Sequence, residues 1–339
     1  MLSQGMICSQ AELGISDDHA GIWVLPPELT PGQPLVEALG LDDVILDVSV
    51  YANRPDCMSV IGIAREIAAL TGNQLRLPAL DYEELAVPIT ERTSVTVEDQ
   101  ERCPRYTAAL LEGVRIGKSP LWMQLRLLAA GMRPINNVVD ITNYVMLETG
   151  QPLHAFDFAR LAEGRLVIRT ARPGEEIVTL DGERRALTPE MLVICDAHSP
   201  KCIAGIMGGE DSEVTDQTTT ILLESANFSP LSVRRTSRAL GLSSESSSRF
   251  EKGIDPQGTI LASRRALHLL QRLAGAQIYA GHIDVDAADG QRTVIDFELR
   301  EVERLLGTAV PRQDVIRILR SLEFGIEEPS PDLLRVTVP

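Results

Sequence analysis

The feature that most constrains the fold of this chain is a helix-boundary pattern that recurs three times. A Ser or Asp precedes a Pro, a stretch with helical apolar spacing follows, and a Gly comes after its last residue. The three instances are Ser119-Pro120 to Gly131, Ser229-Pro230 to Gly241 and Asp255-Pro256 to Gly275. A capping side chain, Pro in the first turn and Gly after the end are typical of helix termini. The pattern therefore predicts three helices bounded by these residues.

Short apolar segments near these helices predict β-strands. They are residues 166–171, 175–180, 192–196 and 220–226. The Asp-Gly pair at 181–182 is a hairpin signal. A further strand is predicted at 42–50, DDVILDVSV, because apolar and polar residues alternate acceptably there. The predicted fold class is α+β, with a central mixed or antiparallel sheet that carries capped helices.

Three more helices and one strand are predicted nearer the two ends. One helix is capped by Ser59 and stops at Gly72, two lie within 300–307 and 311–325, and the strand is 335–339. At 339 residues the chain exceeds the size at which a single core stops growing. The predicted organisation is a domain tail at 1–28, a small α/β segment at 29–88, a main domain at 89–289 and a small helix–helix–strand domain at 290–339. The partial cores at both ends lead us to expect a larger parent chain.

Composition excludes several classes of protein. The chain is 44% hydrophobic but has no apolar run of about 18 residues, and its N-terminus does not resemble a signal peptide. Five scattered cysteines without a CxxC pair indicate reduced thiols in a cytosolic protein and no zinc site. A net charge of −16 argues against RNA binding over the whole surface, so any RNA contact must be local, through clustered arginines.

The segment Arg133–Asp157 is the densest in side chains that can do chemistry. Its amides, carboxylates and hydroxyls must either satisfy one another or face a cleft, because a buried unpaired polar group costs about 1–3 kcal/mol. Gly150, Gln151 and Pro152 predict that His154 lies at a turn. His154 then either orients a water or a ligand oxygen near neutral pH, or fixes the turn by bonding the backbone.

Two further segments contain candidate site residues. In residues 203–210, IAGIMGGE, the near absence of side chains at Ala204 and Gly205 would let a ligand approach the backbone, although a glycine-rich turn explains the same pattern. Glu224 lies within an apolar strand and shares a face with Leu222 and Ala226. A buried carboxylate needs a partner, which is either a ligand hydroxyl or an arginine.

A basic, hydroxyl-rich patch is the remaining candidate. Arg234, Arg235, Arg238 and Arg249 flank the run SSESSS at 243–248. Such a patch can contact phosphate. It is equally consistent with a solvated helix face that forms local ion pairs.

Six ordered motifs together resemble the β subunit of bacterial phenylalanyl-tRNA synthetase over nearly the whole chain. The motifs are NRPDCMS with GIAREIAALTG, RPINNVVDITNYVMLETGQPLHAFD, LDGERRALTPEMLVI, AGIMGGEDSEV, LLESANFSPLSVRRTSRALGLSSESSSRFEKGIDP and ALHLLQRLAG. The resemblance implies that residues of about 90–288 form an editing domain, which hydrolyses tyrosine wrongly attached to the phenylalanine tRNA. It also implies that 1–28 is the end of an OB-type tRNA-binding domain.

By motif position, the family's editing residues and pocket wall fall on eight residues of this chain. The resemblance implies catalytic roles for Thr142, Asn143 and His154 and substrate-binding roles for Ala204, Gly205, Glu224, Pro152 and Leu180. Glu224 would read the tyrosine hydroxyl. His154 and Thr142 would orient the water or the terminal ribose, while Asn143 and backbone N–H groups near Ala204 and Gly205 would bind the carbonyl.

The resemblance also implies partners and cofactors. The partners would be the α subunit in an α2β2 heterotetramer, the phenylalanine tRNA and tyrosine, with no membrane, in the cytoplasm. ATP and Mg²⁺ would belong to the parent enzyme's aminoacylation reaction, and we assign no metal or cofactor to this stretch of chain. The competing interpretation is a non-catalytic structural or tRNA-docking module of the same subunit.

Overall fold

The computed structural model describes residues 6–16, 18–288, 290 and 292–339. The chain divides into two compact units, Met1–Asp47 and Val48–Pro339. The α-helices are α1 Leu35–Leu39, α2 Val60–Thr71, α3 Leu121–Ala129, α4 Asn137–Thr149, α5 Pro230–Leu240, α6 Glu245–Phe250, α7 Gly258–Ala274, α8 Arg300–Leu306 and α9 Arg312–Ser321. Short 3₁₀ helices span Pro55–Cys57, Ile89–Glu91, Phe158–Arg160, Ala162–Gly164 and Glu210–Ser212.

The strands of the second unit follow the predicted α+β class. They are β1 Glu84–Pro88, β2 Ser94–Val97, β3 Arg105–Glu112, β4 Leu153–Asp157, β5 Arg165–Thr170, β6 Glu176–Val178, β7 Arg184–Ala186, β8 Leu192–Cys195, β9 Pro200–Ile203, β10 Met207–Gly208, β11 Thr220–Asn227, β12 Gln277–Ala280, β13 Ile283–Asp286, β14 Val294–Glu298, β15 Gly325–Ser330 and β16 Leu333–Thr337. The four central strand predictions are confirmed as β5, β6, β8 and β11. The predicted Asp-Gly hairpin is confirmed as the β6–β7 pair.

In the first unit, the short helix α1 ends at Gly40, which has the left-handed φ of 62°. The predicted strand at 42–50 is wrong, because the structure assigns no strand to these residues. Val44, Ile45 and Leu46 are 75%, 69% and 78% exposed. Alternation of apolar and polar residues favours a strand only when a neighbouring strand can bond its backbone, and none pairs with this segment in the described chain.

Two sheets of the second unit pack face to face. The first has the order β1-β12-β3-β11-β4, with β13 also paired to β3, and the second has the order β10-β9-β8-β5-β2. Both are mixed, since β1 runs parallel to β12 and β2 parallel to β5. Tyr106, Phe156 and Leu222 of the first sheet share one buried cluster with Ile194 and Ile203 of the second. We call this cluster the sandwich core.

Helices cover the opposite face of the first sheet. Val138 and Ile141 of α4 and Leu267 of α7 pack with Ala109 and Leu223 from that face. Because side chains alternate along a strand, β3 and β11 contribute one set of residues to this helix-side core and the other set to the sandwich core. Both faces of β3 and β11 are therefore buried, and a polar side chain on either strand needs a partner inside the protein.

Most of the predicted helix boundaries are confirmed, and two are wrong. The Ser59 hydroxyl accepts from Gly62 N at 3.0 Å at the start of α2, as predicted. Ser119 does not cap α3, since Pro120 occupies the N-cap position and the Ser119 hydroxyl donates to Asp140 instead. Asp255 does not cap α7 either, because it forms a turn by accepting from Gln257 N, and α7 begins at Gly258. In both cases the side chain forms its hydrogen bond with another partner and leaves the free N–H groups of the helix without it.

The C-terminal part forms a small sheet of its own, in the order β14-β16-β15. Helices α8 and α9 and strand β16 confirm the helix–helix–strand prediction, but α9 ends at Ser321, and the end predicted at 325 is wrong because β15 begins there. Four buried residues form its core, namely Val315, Ile316, Leu334 and Val336. The predicted domain boundaries stay predictions. No helix in the part of the chain that the structure describes is both long and apolar enough to cross a bilayer.

Candidate functional site

The segment Arg133–Asp157 folds into helix α4, a tight turn and strand β4. Asn136 caps α4 by accepting from the N–H groups of Val138 and Val139, and Gly150 ends it with a φ of 83°. The prediction that His154 lies at a turn is wrong, because it is the second residue of β4. Gly150, Gln151 and Pro152 complete the change of direction, so strand pairing is already established at Leu153.

Strand β4 places His154 beside Glu224. Within the antiparallel β4–β11 pair, Glu224 is directly opposite His154, and Leu222 is opposite Phe156. Side chains directly opposite in an antiparallel pair project to the same face, with Cβ atoms about 5 Å apart. The fold therefore brings this carboxyl and this imidazole together, although they are 70 positions apart in the sequence. Both project toward the sandwich core.

Glu224 bonds a tyrosine hydroxyl and no arginine among the described residues. The hydroxyl of Tyr106 donates to Glu224 Oε2 at 3.1 Å. Glu224 is only 6% exposed, and this burial raises its pKa from 4.5 to about 8, against the opposing effect of the Tyr106 hydrogen bond. The interpretation of Glu224 as one half of an ion pair with arginine is wrong. Its carboxyl instead holds a proton over much of the neutral range in the free protein.

The imidazole of His154 is packed against other side chains, but one of its nitrogens has no hydrogen-bond partner among the described residues. Its ring meets Phe156 edge to face, with centroids 4.5 Å apart. His154 keeps some exposure as a residue, but Nε2 is buried and has no hydrogen-bond partner among the described residues. Burial lowers the pKa of His154 from 6.5 to about 4, so the ring is neutral at physiological pH. A neutral ring with a free nitrogen can accept from or donate to a water or a ligand.

The glycine-rich segment turns the chain between β9 and β10. Ala204, Gly205 and Ile206 form the turn, and Gly205 has a φ of 71°. A Cβ on Gly205 would lie 3.0 Å from ring atoms of both Phe228 and Phe250. The backbone at Gly205 is thus approached closely by core side chains, which matches the glycine-turn interpretation of this residue.

A different glycine forms the wall beside the imidazole. A Cβ on Gly208 would lie 2.6 Å from His154 Cε1 and 3.2 Å from Leu180 Cδ1. Leu180 N donates to Gly208 O at 3.1 Å and its side chain is 43% exposed. Leu180, Gly208 and His154 are therefore contiguous, and the partly exposed Leu180 lies at the solvent side of this group.

Pro152 lies at the start of β4, close to the same strands. The Gln151 side-chain amide donates to Pro152 O at 2.9 Å and to Ala226 O at 2.8 Å. The bond to Ala226 O ties the turn to β11 two residues from Glu224. Gln151 Oε1 is buried and lacks a described partner.

Thr142 and Asn143 lie on α4, whose apolar side chains pack on the opposite face of the sheet from Glu224. The Thr142 hydroxyl donates to Val139 O at 2.8 Å, within its own helix. Ala204 N donates to Leu192 O at 3.1 Å, so this N–H is already used. The structure thus places His154 opposite Glu224 and brings Gly208 and Leu180 against His154, whereas Thr142 and Asn143 lie on α4.

The basic patch predicted from sequence is smaller than expected. Arg234, Arg235 and Arg238 are exposed on α5, but Arg249 is buried. Arg249 pairs with Glu245 through one turn of α6, with Nη1 at 2.7 Å from Oε2. The local ion pair favours a structural role for Arg249.

One group of side chains has the composition of a metal site. Asp56, Cys57 and Glu66 place possible ligand atoms within 4.8 Å of one another. Arg54 forms ion pairs with both carboxylates, at 2.7 Å from Asp56 and also with Glu66. A guanidinium already neutralises these ligands, and burial raises the pKa of the Cys57 thiol. A cation would have to displace Arg54, so the group does not favour metal binding.

Comparison with known proteins places the chain in a family. Residues 102–275 match the family model described as the B3/4 domain. The chain belongs to the B3/4 domain family. The residues that line the site or were assigned to it from sequence all lie inside the matched B3/4 segment, namely Tyr106, Thr142, Asn143, Pro152, His154, Leu180, Ala204, Gly205, Gly208 and Glu224. The B3/4 segment contains helices α3 to α7 and most of the sandwich core, whereas Ile89 and Tyr279 of that core lie outside it.

Curated relatives extend the similarity beyond the B3/4 segment. A phenylalanine–tRNA ligase β subunit of Moorella thermoacetica is 48% identical over 100% of this chain and 43% of its own length. The β subunits of Syntrophus aciditrophicus and Geobacter metallireducens are each 47% identical, over 96% and 99% of this chain. The resemblance recognised from the motifs is thus confirmed. The chain spans about two fifths of the length of these relatives.

A solved N-terminal fragment of the Pyrococcus horikoshii phenylalanyl-tRNA synthetase β subunit aligns over 86% of this chain and 80% of its own. Its TM-score is 0.38 and its sequence identity is 17%.

Two B3/4 residues at the site were not predicted from sequence. Tyr106 looks like an ordinary core aromatic of an apolar strand, and only the β3–β11 register brings it to Glu224. Gly208 was considered with its neighbours, but its contact with His154 depends on the β9–β10 hairpin. The sequence indicated that a buried Glu224 needs a hydrogen-bond donor, but it did not indicate that Tyr106 is that donor.

Proposed function

We propose that this chain contains the editing site of a phenylalanine–tRNA ligase β subunit, which hydrolyses tyrosine wrongly attached to the phenylalanine tRNA. In this proposal it acts with an α subunit that carries aminoacylation, together with the ATP and Mg²⁺ of that reaction. Membership of the B3/4 family and similarity to phenylalanine–tRNA ligase β subunits over the whole chain support the general assignment. The chemistry of Glu224 and His154 supports the specific reaction.

The single observation that carries the proposal is the pairing of Glu224 with His154 on one face of the sheet. A carboxyl in an apolar core is costly, and an imidazole nitrogen without a partner adds to that cost. Glu224 and His154 are 70 residues apart in the sequence, and the pairing of β4 with β11 places them directly opposite each other. The His154 Nε2 atom has no hydrogen-bond partner among the described residues. Polar groups that are buried, adjacent and only partly satisfied are expected where a ligand completes the bonding.

Tyrosine and phenylalanine differ by one hydroxyl, so editing requires a contact that only the hydroxyl can make. Glu224 supplies it, since the hydrogen bond found for its carboxyl among the described residues is the one that Oε2 accepts from Tyr106, which leaves Oε1 for the ligand. With a pKa of about 8 the carboxyl is largely protonated at neutral pH and can donate to or accept from a phenol. Phenylalanine leaves this polar group unpaired, and sites of this type reject a substrate that lacks the hydroxyl.

Ester hydrolysis then requires a water near the carbonyl and donors for the developing oxyanion. The neutral His154 ring has Nε2 free to hold a water or a ribose hydroxyl. Gly205 N–H is a candidate oxyanion donor, whereas Ala204 N–H is occupied by Leu192 O. Thr142 and Asn143 would contact the substrate from α4. No covalent intermediate is needed, because a positioned water is a sufficient nucleophile for an activated aminoacyl ester.

The test is deacylation of tyrosyl- and phenylalanyl-tRNA by the ligase assembled from its α and β subunits. Glu224→Ala should lower the ratio of kcat/KM for the tyrosyl over the phenylalanyl ester by at least about tenfold, since a hydrogen bond to a buried group is lost. Glu176→Ala is the control, because Glu176 is an exposed carboxylate whose ion pair among the described residues is with Arg184. Unchanged selectivity in Glu224→Ala would remove the proposed role. Unchanged aminoacylation is expected in both variants.

A further inference from the structure

Tyr106 is held against Glu224 by the pattern of small and large residues on β3 and β11. Ala108 is directly opposite Glu224, and Ala226 is directly opposite Tyr106. The two alanines leave space on the face between the strands, so the larger side chains meet along the diagonal, a separation that aromatic residues can bridge. Tyr106 is fully buried, and its hydroxyl donates to Glu224 Oε2 at 3.1 Å.

This contact makes the two oxygens of Glu224 unequal. Oε2 accepts from Tyr106, whereas Oε1 accepts from no described residue. We propose that Tyr106 is a positioning residue for substrate selection, whose hydroxyl holds Oε2 so that Oε1 is presented to the phenol of a bound tyrosine. The inference rests on the proposed editing function and concerns how its selectivity is produced. Without the Tyr106 hydroxyl, the carboxyl is free to rotate, and either oxygen can turn away from the ligand.

The same hydrogen bond influences the proton on Glu224. Burial raises the pKa of this carboxyl, and donation by Tyr106 lowers it. The other titratable groups that act on or face Glu224 are His154, Cys103 and Cys202. Burial keeps His154 neutral above about pH 4 and raises the pKa of both thiols well above 9.0. Among the described groups at this site, Glu224 is therefore the one that titrates near pH 8.

The experiment is a comparison of two Tyr→Phe variants in the assembled ligase. Tyr106→Phe removes the hydroxyl that bonds Glu224. Tyr279→Phe is the matched control, because Tyr279 is 2% exposed, belongs to the same sandwich core, and donates to another carboxylate, Glu112 Oε2, at 2.6 Å. Both changes keep the aromatic ring and remove one hydroxyl that donates to a carboxylate; the Tyr279 hydroxyl also accepts from Arg92 Nη1 at 2.6 Å. A general weakening of the core should therefore affect both variants alike.

For Tyr106→Phe we expect the tyrosyl-over-phenylalanyl ratio of kcat/KM to fall about three- to tenfold, the value of one lost hydrogen bond. The change should be in KM for the tyrosyl ester, with kcat nearly retained, because the ligand contact and not the hydrolytic water is disturbed. The pH at which tyrosyl deacylation changes with Glu224 ionisation should move upward, since a donor to the carboxylate has been removed. Tyr279→Phe should show none of these effects.

Combining the variants separates this inference from the proposed function. If Tyr106 acts through Glu224, adding Tyr106→Phe to Glu224→Ala should change the ratio no further. A Tyr106→Phe variant that keeps full selectivity, or that lowers it equally with and without Glu224, would overturn the positioning role while leaving the editing proposal intact. A Glu224→Ala variant with unchanged selectivity would instead overturn the proposed function itself.

Discussion

At the scale of single residues, Glu224 and His154 have opposite and unusual protonation behaviour. Burial raises the pKa of the carboxyl to about 8 and lowers that of the imidazole to about 4. Both groups are consequently uncharged at neutral pH. Neutral polar groups cost less to bury than ions, which explains how a core can contain them side by side. Each can still donate or accept a hydrogen bond.

The shifted pKa of Glu224 predicts a pH-dependent stability. Between 4.5 and about 8 the folded chain holds a proton on Glu224 that the unfolded chain has released, so the free energy of unfolding falls as pH rises. His154 acts in the opposite sense, but only between about 4 and 6.5. From pH 6.5 to 8 the Glu224 contribution is therefore unopposed by His154, and it should be on the order of 1–2 kcal/mol.

Urea unfolding at pH 6.5, 7.25 and 8, the window in which His154 does not oppose Glu224, measures this effect. Glu224→Gln should flatten the decline, because the amide does not titrate and can still accept from Tyr106. Equal slopes for the variant and the unsubstituted chain would contradict the assignment of the raised pKa to Glu224.

At the scale of elements, α2 and α5 differ in how their N-termini are capped. The Ser59 hydroxyl accepts from Gly62 N at 3.0 Å and donates to Asp56 O at 3.0 Å. Ser229 occupies the N-cap of α5 without a side-chain cap bond. Both serines occupy the N-cap position of their helices, but of the two hydroxyls only that of Ser59 accepts from a free N–H group of its helix.

Ser59→Ala should therefore lower the free energy of unfolding by about 1 kcal/mol, because Gly62 N–H loses its acceptor. Ser229→Ala is the matched control and should cost less than about 0.5 kcal/mol. Chemical denaturation of the two variants compares them directly. Equal losses would show that the Ser59 bond does not stabilise α2.

The β9–β10 turn supplies a second element-scale prediction. Gly205 has a φ of 71°, and an added Cβ would lie 3.0 Å from Phe228 and Phe250. Gly241, after α5, has a similar φ of 63° but open space around its Cα. Gly241→Ala should cost about 1 kcal/mol from left-handed strain alone. Gly205→Ala should cost more, by about 1–3 kcal/mol, because the core must also move.

Thermal or urea unfolding of the two glycine variants tests this difference. If Gly205→Ala is no worse than Gly241→Ala, the aromatic contacts around the turn are looser than the structure indicates. A large substitution at Gly205 would therefore act on folding as well as on any ligand contact. Gly208→Ala, which approaches His154, is the more direct probe of the site wall.

At the scale of the whole molecule, the second unit contains cores of very different size. The sandwich and helix-side cores share the strands of the first sheet, so each stabilises the other through β3 and β11. The sheet β14–β16 has a separate core of four buried residues, although Arg65 of α2 reaches Glu323 at 3.2 Å. A small core contributes less burial, and local unfolding is expected to begin in such regions.

Hydrogen exchange should show this hierarchy. Backbone amides of β16 should exchange through an opening of lower free energy than those of β3 and β11, which are buried on both faces. Mass-spectrometric exchange of peptides covering 333–337 and 220–227 provides the comparison. Equal protection of the two segments would mean that the whole unit unfolds as one cooperative body.

Local chemistry made much of the fold predictable from the sequence. Local residue preferences predict the helix ends at Gly72, Gly241 and Gly275, where glycine adopts a left-handed conformation. They also predict the hairpin at 181–182 and the four central strands. The predictions failed where a side chain bonded elsewhere, as Ser119 does with Asp140. They failed also at 42–50, where the pattern was present but no partner strand was.

The sequence by itself determined the capped helices, the four central strands and the family resemblance, because these depend on neighbouring residues or on long ordered motifs. Only the tertiary structure decided which groups meet. Strand register places His154 opposite Glu224 and Tyr106 on the diagonal, and the hairpin turn brings Gly208 against the imidazole. The physical reason is that register is selected by the fit of whole buried faces, so no short stretch contains the information.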